Sequence, residues 1–213
     1  MALRKIFEVF LYKNKLNQTN LIDITSKLSN TTIENLMKDL GIPHQEEIVY
    51  VFSDGNCRNN GRKNAKAGYS IYFPDNRYTQ FNKTRLVVTE PTNNKAELSG
   101  IKAIFKTIDT NRELFQDKQV IICTDSQYSI NCIVKWSSNW MKNNWLNCKK
   151  EPVKNKELIQ SILELKQNIE NVVTFKHVFS HTQEPQDKTS LEYFFWYGNN
   201  MVDTNINKLF DLI

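Results

Sequence analysis

The chain has 213 residues, of which 40% are hydrophobic and 24% charged, and its formal net charge is +5 at pH 7. This length allows one large domain, or one domain with a small appendage, and the apolar content is enough for a packed core. The mild basic excess suits a polyanionic partner but does not identify one. No segment approaches the roughly 20 apolar residues of a membrane span, so we expect no membrane partner.

The cysteines and the first residues suggest a compartment. Cys57, Cys123, Cys132 and Cys148 form no CxxC pair, and the three histidines do not cluster with them, so a zinc site is not expected. Residues 1–10 lack the apolar run and the cleavage site of a secretory signal peptide. We therefore expect an intracellular protein, cytoplasmic or nuclear, with reduced thiols.

Residues 1–45 are predicted to form a small helical N-terminal extension. An apolar stripe with i, i+3, i+4, i+7 spacing follows a Thr-x-x-Glu capping box, and Gly41 and Pro43 end it. Two short helices with a tight break could be a helix-turn-helix. An appendage packed on the main domain or on a partner is the simpler alternative, and the role of the segment stays open.

From residue 47 onward, strands and helices are predicted in a mixed order. The predicted strands are residues 48–53, 68–73, a part of 77–88, 120–124 and 172–178. The predicted helices are residues 96–107, a segment ending at Trp136, 156–170 and 201–212. This order indicates an α/β fold in which helices flank a mixed sheet.

Four acidic residues stand at the predicted ends of these elements. Asp54 and Asp125 each follow a strand, and Glu97 and Asp203 each open a helix. Strand ends and helix starts of α/β sheets gather around one crevice, where carboxylates repel one another unless cations compensate. Carboxylate oxygens suit Mg²⁺ or Mn²⁺, and two such ions roughly 4 Å apart clamp the attacking water and leaving oxygen of a phosphodiester.

Each acid taken singly also has an explanation without chemistry. Asp54 and the glycine after it could form a turn, Glu97 and Asp203 could be first-turn helix charges, and Asp125 could be a helix N-cap. The sequence around all four acids decides between the two interpretations.

Four blocks surround the acids: FSDGNC at 52–57, TNNKAEL at 92–98, TDSQY at 124–128 and GNNMVD at 198–203. They resemble, in the same order, the signature blocks TDGSC, TNxRAEL, TDSQY and GNxxAD of ribonuclease H type 1. NGR at 60–62 and AG at 67–68 are similar to the cellular eukaryotic branch. The resemblance implies a ribonuclease H-like fold with a five-stranded mixed sheet, and a catalytic domain over residues 46–213. It also implies an endonuclease that hydrolyses the RNA strand of RNA–DNA hybrids and leaves 5′-phosphate and 3′-hydroxyl ends.

The resemblance implies a role for each acid. Asp54 would bridge two Mg²⁺ ions, with Mn²⁺ as a possible substitute. Glu97 and Asp125 would hold the ion at the leaving group, and Glu97 would also touch a ribose 2′-hydroxyl. Asp203 would hold the ion that activates water.

Two histidines lie in HVFSH at 177–181, which resembles the family's HVxGH. The match implies that His181 takes part in proton transfer and product release, for which an imidazole that titrates near neutral pH is suited. His177 lies within the strand pattern, and we expect it to be structural.

Further residues match the substrate-binding positions of the family. Asn93, Asn94 and Gln127 match groups that read the minor groove, Cys57 and Asn60 match backbone positions there, and Thr92 and Asn155 match a pocket for a DNA phosphate. Amide side chains both donate and accept hydrogen bonds, so they can bind 2′-hydroxyls and base edges without choosing a sequence. Turn chemistry is the alternative for the Asn and Thr residues.

An aromatic and basic stretch over residues 136–155 resembles the basic protrusion of the family. Its tryptophans are Trp136, Trp140 and Trp145, and the four protrusion lysines are Lys142, Lys149, Lys150 and Lys154. Interleaved lysines suit a surface that follows phosphates, whereas Trp136 and Trp140 could be core residues because they lie four apart on a helix. Deoxyribose can pack on an exposed indole that the 2′-hydroxyl of RNA would obstruct, which would distinguish the two strands.

Two segments depart from the family pattern. The segment before Gly198 is longer than in the family pattern, and the extra residues 183–197 could form a lid, an interface or a packed helix. The five adjacent aromatic residues of this segment should be partly buried. Residues 1–45 lack the aromatic and glycine pattern of the eukaryotic hybrid-binding domain, so no substrate contact is assigned to them.

Two other functions are less consistent with the sequence. Resolvases and transposase cores lack the Asn-Asn block, and the four acids argue against an inactive binding module. Protein partners and oligomeric state stay open.

Overall fold

The computed structural model describes residues 47–169, 173–180 and 182–212, so the helices predicted within 1–45 lie outside the described residues. The strands are β1 (Glu47–Arg58), β2 (Lys66–Tyr72), β3 (Lys83–Val87), β4 (Lys118–Thr124) and β5 (Val173–His177). The α-helices are α1 (Asn93–Thr110), α2 (Arg112–Phe115), α3 (Gln127–Ile130), α4 (Ser137–Lys142), α5 (Lys156–Asn168) and α6 (Leu191–Asp211). A 3-10 helix at Asn76–Phe81 precedes β3, and a π-helical stretch at Asn131–Trp136 joins α3 to α4. No helix among these residues is both long and apolar enough to cross a membrane.

The strands form one sheet in the order β3-β2-β1-β4-β5. β2 pairs antiparallel with β1 and β3, whereas β4 pairs parallel with β1 and β5. The predicted mixed five-stranded sheet is therefore confirmed. The β1–β4 ladder ends at the pair Phe52 and Cys123, but β1 continues against β2 as far as Arg58. β1 therefore extends beyond the carboxyl end of its parallel neighbour.

Helices cover both faces of the sheet, and the side chains of β1 alternate between these two faces. Ser53 faces α1, where a Cβ at Gly100 would overlap its hydroxyl. Phe52 faces α6 and packs in a second cluster with Val202. The main core lies on the α1 side, with α5 packed behind α1.

The last helix differs most from its predicted position. It was predicted at residues 201–212 but begins at Leu191, where the Ser190 hydroxyl caps it by accepting a hydrogen bond from the Tyr193 N–H. Gly-Asn-Asn at 198–200 has a low helix propensity, but packing outweighs propensity here. The Phe52 ring occupies the space that a Cβ at Gly198 would need. The aromatic segment is thus the start of a packed helix.

Candidate active site

Three of the four acids lie inside elements, and only Asp125 stands at an end. Asp54 lies within β1, Glu97 is in the second turn of α1, and Asp203 is in the middle of α6. The turn and first-turn explanations for these acids are therefore wrong. The N-cap of α3 is Ser126, which accepts a hydrogen bond from the Ser129 N–H, so Asp125 is not a cap.

The carboxylates of Asp54, Glu97 and Asp125 gather at the carboxyl end of β4. One oxygen from each lies within 4.8 Å of the other two. Asp54 can meet Asp125 because β1 runs past the end of β4, and the parallel register continued by two residues sets them side by side. Asp203 lines the same cleft from α6 without belonging to this group of three. The expected meeting of the four acids in one crevice is thus observed.

Two glycines allow this close approach of β1 and its helices. A Cβ at Gly55 would overlap the backbone nitrogen of Glu97, and a Cβ at Gly198 would overlap the Phe52 ring. Both positions therefore require a residue without a side chain. The contact at Gly55 brings the start of α1 against β1. The contact at Gly198 brings α6 against Phe52 of β1, which lies two residues before Asp54.

The electrostatics of the cluster favour the protonated forms of Asp54 and Glu97 as long as no cation is present. Burial, with the charges of Asp125 and Asp203 added, raises the pKa of Asp54 to about 7, although the Gly55 N–H donates a hydrogen bond of 2.7 Å to Oδ1. Burial and the neighbouring Asp54 and Asp125 raise the pKa of Glu97 well above its usual range. Desolvation and like charges both act against the ionised forms.

These donors fit a divalent cation. Oε2 of Glu97 is buried and has no hydrogen-bond partner among the residues that the structure describes. A buried carboxylate oxygen without a partner is costly to the fold unless something compensates its charge. Three carboxylates grouped this tightly form the hard oxygen donor set that Mg²⁺ and Mn²⁺ prefer.

The cluster opens into a cleft of about 230 Å³. Besides the four acids, the described residues that line it are Gly55, Asn56, Asn93, Phe179, Ser180, Thr182, Trp196, Asn199 and Asn200. One face of α6 supplies Trp196, Asn199, Asn200 and Asp203, which have i, i+3, i+4, i+7 spacing. The sequence pattern predicts no role for the first three. The two asparagines could have been identified in the sequence because they lie three and four residues before Asp203, about one helical turn away. Trp196 could not, because the sequence does not show that the helix begins as early as Leu191.

The two histidines differ in how far the structure describes them. His181 lies outside the described residues, so its role stays a prediction. His177 ends β5, and its Nε2 lies 3.0 Å from the backbone oxygen of Asp125. This contact links the ends of β5 and β4, which agrees with a structural role for His177.

The minor-groove candidates lie around the start of α1 and the tip of the β1–β2 hairpin. The Asn93 N–H donates to Oδ1 of Asn60 at 3.3 Å, and the Cys57 thiol lies 3.6 Å from the Pro91 carbonyl oxygen. Asn94 is exposed. Gln127 is exposed at the start of α3, and its amide donates to Asn131 at 3.1 Å. Cys57, Asn60, Asn93 and Asn94 thus lie together around the start of α1 and the tip of the hairpin.

The remaining candidates lie at the start of α1 and along the protrusion. Thr92 is the N-cap of α1, with its hydroxyl accepting from the Lys95 N–H, and the Asn155 amide lies 3.4 Å from the Tyr128 hydroxyl. The rings of Trp136, Trp140 and Trp145 form a chain with centroid separations of 5.6 and 6.3 Å. Trp136 is 39% exposed, whereas Trp140 and Trp145 pack against the main core. The four protrusion lysines are exposed.

Comparison with known proteins gives one consistent family. A family model described as RNase H matches residues 46–208. A ribonuclease H of Clostridium botulinum is 35% identical over 118 residues, which are 55% of this chain and 74% of that protein. Ribonuclease H1 of Mus musculus is 31% identical over 137 residues, which are 64% of this chain and 45% of the mouse protein. The solution structure of the PFV RNase H domain, at 20% identity, covers 75% of this chain and 92% of that one with a TM-score of 0.55, and thus shares the fold.

Proposed function

Because the chain belongs to the type 1 RNase H family, we propose that it is an endonuclease that hydrolyses the RNA strand of RNA–DNA hybrids. The observation that carries this proposal is the close group of three carboxylates, buried Asp54 and Glu97 with half-buried Asp125, which opens into a cleft that Asp203 also lines. Cleavage would leave 5′-phosphate and 3′-hydroxyl ends.

The four acids would hold the metal. The charges of Asp125 and Asp203 act on Asp54, and those of Asp54 and Asp125 act on Glu97. Asp54 would therefore help to hold both of two ions, Glu97 and Asp125 would help to hold one of them, and Asp203 would help to hold the other. When bound, two Mg²⁺ or Mn²⁺ ions would activate the attacking water and stabilise the leaving 3′ oxygen. The chain holds Asp54 and Glu97 buried beside Asp125 before any ion arrives, so the oxygen donors are already in place and a bound ion would favour their ionised forms.

Recognition of the hybrid would come from groups beside the cleft. The amides of Asn93 and Asn94, with Gln127 and the backbone at Cys57 and Asn60, would bind in the minor groove, where 2′-hydroxyls mark the RNA strand. Thr92 and Asn155 would bind a phosphate of the DNA strand. The exposed face of Trp136, with Trp140, Trp145 and Lys142, would pack on deoxyribose and follow the DNA phosphates.

His181 would exchange protons with the reacting groups and speed product release. Its described neighbours in the sequence, Ser180 and Thr182, line the cleft. Replacing His181 by Ala should lower kcat much more than it changes KM, and it should flatten the pH profile near neutral pH. Unchanged kcat and pH profile would remove His181 from the proposal.

The test is cleavage of a labelled hybrid beside duplex RNA, duplex DNA and each single strand, with and without Mg²⁺. Only the RNA of the hybrid should be cut, and only with the metal. Asp54→Asn should reduce cleavage by more than about a hundredfold and leave hybrid binding largely intact, because the groove contacts remain. Binding without cleavage by the wild type would indicate an inactive binding module, and cutting of duplex DNA would indicate a resolvase-like nuclease. A 2′,3′-cyclic phosphate product would exclude attack by water.

We also propose that residues 46–213 are the catalytic domain and that residues 1–45 are an extension. A chain without residues 1–45 should still cleave hybrids. Loss of cleavage in a shortened chain that folds normally would contradict this division.

A further inference from the structure

The first two turns of α6 carry a residue that contacts the loop leading away from β5. The indole N–H of Trp196 donates a hydrogen bond of 3.0 Å to the backbone carbonyl of Thr182. These turns belong to the segment that is longer than the pattern of the family, so the motif blocks assign no role to Trp196. A buried or half-buried indole N–H normally requires an acceptor, and here the acceptor is the backbone of the loop.

The loop is held at both ends by hydrogen bonds to its backbone. At its start, the N–H of buried Val178 donates to the Thr124 carbonyl at 3.0 Å. At the other end, Trp196 holds Thr182. Phe179, Ser180 and Thr182 all line the cleft of the acids. The two anchors thus lie on either side of Phe179 and Ser180, which line the cleft together with Thr182.

Trp196 is itself held by its neighbours on α6. Its ring lies 5.8 Å from that of Tyr193, which stacks on Tyr197 at 5.9 Å. On the opposite side of the helix start, Phe194 and Phe195 pack edge-on against Tyr50 of β1. The start of α6 is therefore packed against β1, and the hydrogen bond of Trp196 connects it to the loop.

We propose that Trp196 is a positioning residue that holds the loop of Phe179, Ser180 and Thr182 against the acidic cleft and thereby sets the rate of turnover. The consequence for turnover rests on the proposed hybrid cleavage. Without the indole hydrogen bond, the loop would keep its anchor at Val178, and the next contacts among the described residues would be the exposed Glu184–Lys188 ion pair and the Asp187–Ser190 turn ahead of α6. A longer free loop has more conformations to lose, so the arrangement beside the acids would be populated less often.

The test compares Trp196→Phe, which keeps a ring but removes the N–H, with Trp196→Ala and with Tyr197→Phe as a matched control on the same helix. The first readout is independent of activity. Phe179 is 76% exposed within the loop, so chymotrypsin should cut after it whenever the loop opens, and the fragment can be identified by its mass. Loss of one hydrogen bond should speed this cut about three- to tenfold in both Trp196 variants. Tyr197→Phe should cut at the wild-type rate.

The second readout is the kinetics of hybrid cleavage. Both Trp196 variants should lose kcat by a similar factor while KM stays within about twofold, because the loop contributes to the reaction more than to binding. An unchanged rate of cutting after Phe179 in Trp196→Phe would overturn the proposal, as would faster cutting with unchanged kcat. A rise in KM alone would make Trp196 a substrate contact instead. If the wild type cleaves no hybrid, the proposed function fails, and the proteolysis still decides whether Trp196 holds the loop.

Discussion

Asp54→Asn should stabilise the metal-free protein at pH 8 and have almost no effect at pH 4. Asp54 is 7% exposed, and burial with two neighbouring acids raises its pKa to about 7. The folded protein therefore binds this proton more tightly than the unfolded chain, in which an aspartate titrates near its ordinary value of 3.8. Asparagine has nearly the shape of the protonated acid and can still accept the hydrogen bond from Gly55.

The size of the effect follows from the difference between the two pKa values. Below about pH 4 the carboxyl is protonated in both states, and the mutation changes little. Between about pH 4 and 7 only the unfolded chain ionises, so the wild type loses about 1.4 kcal/mol of unfolding free energy for each pH unit. Above about pH 7 the loss is complete and amounts to about 4 kcal/mol. For a domain of this size that corresponds to roughly 10 °C in Tm.

The assay is reversible urea unfolding in the presence of a chelator at several pH values between 4 and 8. Glu113→Gln removes an exposed carboxylate on α2 and is the matched control, for which the difference from the wild type should stay small and independent of pH. Added Mg²⁺ should stabilise the wild type more than Asp54→Asn, because it binds the ionised cluster. A difference between Asp54→Asn and wild type that is constant from pH 4 to 8 would refute the account of a buried, repelled carboxyl.

Three further predictions concern the protrusion, the approach of α1 and the start of α6. Alanine at all four protrusion lysines should raise KM for long hybrids and flatten its salt dependence by up to roughly one unit of slope per lost phosphate contact, whereas a fall in kcat alone would contradict a phosphate-following surface. Gly55→Ala should lower the urea midpoint strongly and abolish cleavage although all four acids remain, because its Cβ would overlap the backbone of Glu97. Ser190→Ala should reduce the unfolding free energy by about 1 kcal/mol through loss of the α6 N-cap, and an unchanged urea midpoint would contradict a helix that begins at Leu191.

Most of the fold could be predicted because its elements have strong patterns. The apolar run at 120–124 predicts a strand buried on both faces, and β4 is the fourth strand of the sheet between two parallel neighbours. The stripe from Leu98 to Phe105 predicts α1. The start of α6 at Leu191 could not be placed from the pattern, because Gly198 and two asparagines interrupt it. The Phe52 ring, which occupies the space of a Cβ at Gly198, explains why a glycine stands within the helix.

The acids were identified by their sequence blocks, but their positions within the elements were not. Asp54 followed by glycine has the composition of a turn, yet β1 continues through it to Arg58 because β2 pairs with it there. No local sequence signal shows that β1 extends beyond the end of β4, because the length of the overhang depends on where β4 ends. The roles of Trp196 and of the contact with Thr182 depend in the same way on where two distant segments meet.

The geometry of the cluster depends more on backbone contacts than on the acids themselves. Gly55 lies against the start of α1, and Phe52, two residues before Asp54, lies against Gly198 of α6. Both helices are thus fixed to β1 by contacts that involve no carboxylate, while the carboxylates oppose one another across the cleft. Removing the charge of an acid should therefore leave the cleft in place and relieve its repulsion, whereas adding one methyl group at Gly55 should displace Glu97 without removing any charge. The fold holds the acids together against their repulsion, and for this reason a cation rather than a hydrogen-bond partner is the expected complement of the buried Glu97 oxygen.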